Sequence, residues 1–209
     1  FNELYKRSLS NKKKITDESS LFIDNKKEIK FVKDSQDNFK ITKSSDIKNN
    51  KINYGIGFDV HRLVPGRKLY LGGLKIRSNF GTLGHSDGDP VLHSVIDAIL
   101  GACKMGDIGK KFSDKSIRFK NIRSTILLKK VVKQIKLKKY FINNIDINII
   151  AQKPKIQKYK KKMIKIISKL CNISENQINI KGKTTEKLGV IGKEKAIACE
   201  VIVSVIKYD

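Results

Sequence analysis

Every glycine and proline of this 209-residue chain lies beyond Tyr54: fourteen Gly and three Pro punctuate residues 55–192, and the first 54 residues hold none. Tight reversals need Gly for positive φ or Pro for a pre-set φ. A packed domain of short, reversing segments is therefore built after that point. Residues 1–52 carry 13 basic and 8 acidic side chains with little apolar periodicity, too little buried surface to offset the entropy of ordering. This stretch reads as an extension, either low-complexity or the remnant of an organelle-targeting leader, and the folded domain is placed at 53–209.

Within that domain Asn53–Val60 reads as a first strand. Lys68–Leu71 and Leu74–Arg77 flank Gly72-Gly73, the signature of a two-residue hairpin. A Gly-rich loop over 79–88 leads to Asp89-Pro90, which cap and open a helix whose Val91, Leu92, Val95, Ile96 and Ile99 share a face up to Gly101. A second helix is predicted from Ser124 to about Lys139. A strand is expected over Asn144–Ala151, where Ile145, Ile147 and Ile149 alternate, then a third helix from Pro154. Strands at Gln177–Lys183 and Ala196–Lys207 complete an α+β fold, helices covering a mixed sheet.

Composition narrows the function. No apolar run approaches the roughly 20 residues of a membrane span, so no membrane partner is expected. Three scattered cysteines, Cys103, Cys171 and Cys199, offer neither a disulfide framework nor a C-x-x-C knuckle. The net charge of +25 would favour a nucleic acid. Yet only six of the 45 basic residues are Arg, and among the seven Lys of 155–169 the one aromatic is Tyr159, on the apolar side. Without stacking aromatics between the cations, no nucleic-acid partner is expected.

All three histidines fall in two short glycine-bounded segments beside carboxylates. In Asp59-Val60-His61 the i and i+2 side chains of a strand project to one side, which is half a zinc site or a histidine that merely ends a strand. His85-Ser86-Asp87-Gly88-Asp89-Pro90-Val91-Leu92-His93 precedes Asp97, and His93 and Asp97 share a helix face. The alternative there is a capped helix with incidental polar residues. Asp107 between Gly106 and Gly109 suits sugar hydroxyls or an ordinary turn. Ala151-Gln152-Lys153-Pro154-Lys155 and Lys183-Thr184-Thr185-Glu186 suit a phosphate with a divalent cation, or capped turns.

Taken together, GIGFDVHRL (55–63), GHSDGDPVLHSVIDAILGA (84–102), GDIGKKF (106–112), IIAQKPKI (149–156) and TTEKLG (184–189) resemble the 2-C-methyl-D-erythritol 2,4-cyclodiphosphate synthases of the non-mevalonate isoprenoid pathway. The resemblance covers about residues 53–207. It implies a lyase that converts 4-diphosphocytidyl-2-C-methyl-D-erythritol 2-phosphate to the cyclodiphosphate and CMP. It implies Zn²⁺ on Asp59, His61 and His93, and a second ion, Mg²⁺ or Mn²⁺, on Glu186. Substrate contacts are implied for His85, Ser86, Asp107, Gly109 and Thr184, and for Asp97 either substrate contact or support of a ligand. Ala151, Pro154 and Lys155 are implied to form the cytidine pocket. The implied fold is a mixed four-stranded sheet with helices on one face, in a homotrimer whose sheets face the threefold axis and whose sites lie between subunits. A plastid-type organelle is expected from the extension, with a bacterial cytoplasm as the alternative. Lys183, Lys193 and Lys195 depart from the residues common in the family.

Overall fold

The computed structural model describes residues 6, 51–113, 116, 119 and 121–208, so most of the expected extension lies outside the described residues. The first strand, β1 (Lys51–Pro65), alternates strictly: Gly55 and Gly57 face inward, and Ile52, Tyr54, Ile56, Phe58 and Val60 face out. It outruns its expected end at Val60 because Leu63–Pro65 pair with a short strand, β4 (Phe80–Thr82). Between them β2 (Leu69–Leu71) and β3 (Leu74–Ile76) form the predicted hairpin, with Gly72 and Gly73 at φ +60° and +79°, as a two-residue turn requires.

The sheet has five strands rather than four, in the order β4-β1-β7-β5-β6, with β5 (Tyr140–Ile150), β6 (Ile178–Lys183) and β7 (Ala196–Lys207). The β5–β6 pair is parallel and the other pairs are antiparallel. The extra strand was hidden in the Gly-rich loop, since Phe80-Gly81-Thr82 is too short to show alternation. The mixed character is as expected, and the helices among the described residues cover one face.

Helix α1 (Pro90–Ala102) packs on β1 and β7. It runs one residue past Gly101 because Ala102 is buried against β1. A four-residue α2 (Ile108–Lys111) follows, then α3 (Ser124–Leu137) against α1 and β5, and α4 (Lys160–Cys171) against α3 and β6. Helix α4 starts later than expected at Pro154. Ile156 first turns inward against Gly182, where no side chain stands, through a 3₁₀ turn over Ile156–Lys158. Finally α5 (Gly189–Gly192) precedes β7. The core lies between sheet and helices, with Ile145, Ile147, Ile149, Val201 and Val203 facing Leu92, Ile96, Ile99 and Leu128, all fully buried. No helix among the described residues is long and apolar enough to cross a membrane.

One contact brings α1 close to β1. A Cβ on Gly55 would lie 2.0 Å from the Ala98 carbonyl oxygen, and one on Gly57 1.9 Å from that of Ser94. Backbone thus touches backbone where α1 crosses β1, which only two alternate glycines on the inward face allow. Among the described residues no helix lies over the opposite face of the sheet, and its β1 stripe is apolar, with Tyr54 69% and Ile56 68% exposed.

Candidate metal centre

The close approach of α1 to β1 lets His93, one turn into the helix, reach the pair on the strand. Asp59 Oδ2 lies 2.7 Å from His61 Nε2 and 2.9 Å from His93 Nδ1, and the two ring nitrogens are 3.4 Å apart. Among the described residues this is the group of carboxylate and imidazole atoms that could hold a metal ion. The donor set fits one. Bonds of about 2.0–2.1 Å in a tetrahedral zinc site separate neighbouring ligand atoms by about 3.3 Å, close to the spacing of the two nitrogens. The remaining ring nitrogen of His61 is also held, since Nδ1 donates to the Leu83 carbonyl at 2.6 Å. That bond leaves Nε2 as the coordinating atom of the neutral ring.

Electrostatics agree with a site built for positive charge. Burial alone would push the Asp59 carboxyl up, but hydrogen bonds and charge from His61 and His93 prevail and lower it to about 2. For His61, burial favours the neutral ring, yet the Asp59 hydrogen bond and charge, with the Leu83 carbonyl, raise its pKa. The signs define a pH window for metal-stripped protein. The lowered Asp59 contributes stability above its unfolded pKa of about 3.9 that disappears as pH falls toward 2. The raised His61 contributes stability below its unfolded value of about 6.5 that is lost as pH rises through its folded value. Stripped protein should therefore lose melting temperature as pH climbs above about 6.5, and His61→Gln should flatten that limb. Identical alkaline limbs in scanning calorimetry would contradict this assignment.

A cavity of about 380 Å³ opens over the triad, lined by Asp59, His61, His85, Ser86, His93, Asp97 and Gly109 together with apolar residues such as Phe112 and Leu127. His85 Nε2 contacts the Ser116 carbonyl at 3.3 Å, and buried Ser86 lies 3.0 Å from His93 Nε2. Asp97 accepts the Ile108 N–H at 2.7 Å and so ties the 106–109 loop to α1. Burial raises its pKa, as do Asp107 and Asp59, against the pull of that N–H. Asp107 itself is exposed and caps α2 through the Lys110 N–H, outside the cavity lining.

The other half of the expected site lies elsewhere. Ala151, Pro154, Lys155, Lys183 and Thr184 line a second cavity of about 210 Å³. In register, Val60 pairs with Ala198, Ala198 with Ile150 and Ile150 with Lys183. The two cavities thus sit at the same end of the sheet, three strand spacings or about 14 Å apart. Glu186 is exposed at φ +47° and accepts from the Thr184 hydroxyl; it lines neither cavity and is not in the metal-ligand group. Sequence reasoning missed Ser124, whose hydroxyl is 2.9 Å from His93 Nε2. A serine at a helix start is an ordinary capping signal, and nothing local marks its contact 31 residues away.

Residues 52–206 match the YgbB family. The chain is 67% identical over 210 residues to the bifunctional enzyme IspD/IspF of Pelagibacter ubique, covering all of this chain and 57% of that protein. It is 51% identical over 153 residues to 2-C-methyl-D-erythritol 2,4-cyclodiphosphate synthase of Clostridium botulinum, covering 73% of this chain and 98% of that one. Among solved structures, IspF of Plasmodium falciparum in complex with CDP is similar at 44% identity and a TM-score of 0.68, over 78% of this chain and all of that chain. The chain spans little more than half the length of the bifunctional relative. These matches correct the organelle expected from the extension: a relative that matches the chain from end to end, residues 1–52 included, is bacterial, which agrees with the bacterial alternative.

Proposed function

Because this chain belongs to the YgbB family, we propose that it makes 2-C-methyl-D-erythritol 2,4-cyclodiphosphate. An oxygen of the substrate's 2-phosphate attacks the β-phosphorus of its cytidine diphosphate group. The bond from that phosphorus to the oxygen bridging it to the α-phosphate breaks, and CMP leaves with the electron pair. The observation that carries this reading is the convergence of Asp59, His61 and His93 within 3.4 Å of one another at the floor of a 380 Å³ cavity. Zn²⁺ on these three residues, and Mg²⁺ or Mn²⁺ on Glu186, would supply charge neutralisation for two phosphates that otherwise repel. One carboxylate with two imidazoles suits zinc, whereas a lone carboxylate suits a hydrated hard cation.

In this reading the protein's own task is positioning. His85 and Ser86, on the cavity wall, orient the diphosphate and the methylerythritol portion. Gly109, and Asp107 through the loop that Asp97 anchors, meet the hydroxyls, while Ala151, Pro154 and Lys155 take the cytidine and Thr184 a phosphate. The 14 Å between the two cavities is best bridged by a neighbouring copy. A homotrimer burying the apolar β1 stripe would bring the metal centre of one subunit to the cytidine pocket and Glu186 of the next. The reading keeps 53–209 as the synthase domain and 1–52 as an extension. Incubation with the cytidine-linked substrate should release CMP in stoichiometric amount with the cyclic product, and a chelator should abolish release until Zn²⁺ and Mg²⁺ are restored. CMP release indifferent to the chelator would overturn the metal assignment, and no release by the metal-loaded oligomer would overturn the activity.

A further inference from the structure

Behind His93, on the side away from Asp59, runs a line of side chains that the metal centre alone does not explain. The Ser124 hydroxyl donates to Asp87 Oδ1, and Arg123 Nε donates to Asp87 Oδ2 at 2.8 Å. The Asp87 side chain is only 4% exposed and Ser124 is fully buried. Arg123 is itself placed from two directions, stacking over the Tyr70 ring at 4.0 Å and donating to the Gly73 carbonyl at 3.2 Å.

A hydroxyl has one proton to give. Ser124 gives it to a carboxylate, which can only accept, so what Ser124 presents to His93 Nε2 at 2.9 Å is a lone pair. Ring nitrogen Nε2 must then carry a proton, so the neutral, metal-binding form of the ring has its lone pair on Nδ1, the nitrogen 2.9 Å from Asp59 Oδ2. Ser86 is compatible with this, because its oxygen, which accepts the Gly88 N–H, keeps a second lone pair for the same Nε2–H at 3.0 Å. We propose that Asp87 and Ser124, held by Arg123, are positioning residues that fix the tautomer and ring rotation of His93 so that Nδ1 is presented to the metal ion. The proposal rests on the metal centre proposed above.

It complements the other imidazole, whose roles are reversed: His61 donates from Nδ1 to the Leu83 carbonyl and offers Nε2. Backbone thus sets one ligand, and a side-chain relay anchored on the β2–β3 hairpin sets the other. Outer partners of metal-bound histidines are commonly worth 10–100-fold in metal affinity.

The test compares full-length wild type, Asp87→Asn, Ser124→Ala and Ser124→Thr by zinc competition with a chromophoric chelator. Nitrogen-15 NMR of the imidazoles in the zinc-loaded proteins provides the second measurement. Asp87→Asn and Ser124→Ala should bind zinc about 10–100-fold more weakly and show His93 without a single fixed Nε2–H. Ser124→Thr, which keeps the hydroxyl, should restore both. If both variants keep wild-type affinity and the wild-type tautomer, the relay is overturned while the metal centre stands. If wild type binds no zinc, the metal centre falls and the relay with it. Should Asp87→Asn not fold, the Ser124 pair decides the outcome alone, since neither substitution touches the Arg123–Asp87 ion pair.

Discussion

Replacing His93 by alanine is expected to empty the metal centre and reduce CMP release by more than about 100-fold, beyond the range that outer partners of metal ligands command. The reason is geometric. His93 is the ligand brought by the helix, and without it Asp59 and His61 remain as two groups on one strand, too few for a closed three-ligand set. The fold should persist. The helix is capped by Asp89 and buried through Val91, Leu92, Val95 and Ile96, none of which depends on the imidazole. Zinc content by elemental analysis, oligomer mass and CMP release measured on one preparation decide the matter. Undiminished release with normal oligomer mass would remove His93 from the site.

Asp89→Ala should produce the largest loss of stability. This fully buried carboxylate accepts four backbone N–H bonds: Oδ1 from Gly72 at 2.9 Å and from Val91 and Leu92 at 3.1 Å each, and Oδ2 from Gly73 at 2.6 Å. It caps α1 and clamps the β2–β3 hairpin onto the helix in one stroke. Alanine would strand four buried donors at roughly 1–3 kcal/mol for each left unsatisfied, with partial relaxation. A loss on the order of 4 kcal/mol and a melting temperature lower by about 10 °C are expected. Asparagine in its place would keep the bonds to Oδ1 but set an amide against the Gly73 N–H, so Asp89→Asn should fall between the two. Equal melting of Asp89→Ala and wild type would refute the clamp. Because the hairpin also carries Tyr70 and Gly73, which hold Arg123, loosening it should weaken metal binding as well.

Features encoded by neighbours a few residues apart were legible before any coordinates. The cap at Asp89-Pro90, the glycine pair of the hairpin and the alternation of Ile145, Ile147 and Ile149 in β5 appear where local chemistry puts them. Strand ends and helix starts shifted where a distant partner intervened. Examples are β4, which lengthens β1, and Gly182, which admits Ile156 and delays α4. The metal triad was legible as residue types, because three histidines confined to two motifs is an uneven distribution. Its supports were not: Leu83 offers only a carbonyl, and Ser124 looks like any helix-opening serine.

The linear order of residues thus determined which groups could hold an ion, which stretches would turn and which would alternate, since those properties depend on chemical type and spacing along the backbone. Only the tertiary structure decided that α1 lies against β1 closely enough for His93 to meet Asp59, and that Ala151, Pro154 and Lys155 line a second cavity three strands away. The physical reason is that both outcomes come from packing between distant segments: two absent side chains, at Gly55 and Gly57, set the helix-to-strand distance, and the register of four paired strands sets the separation of the cavities.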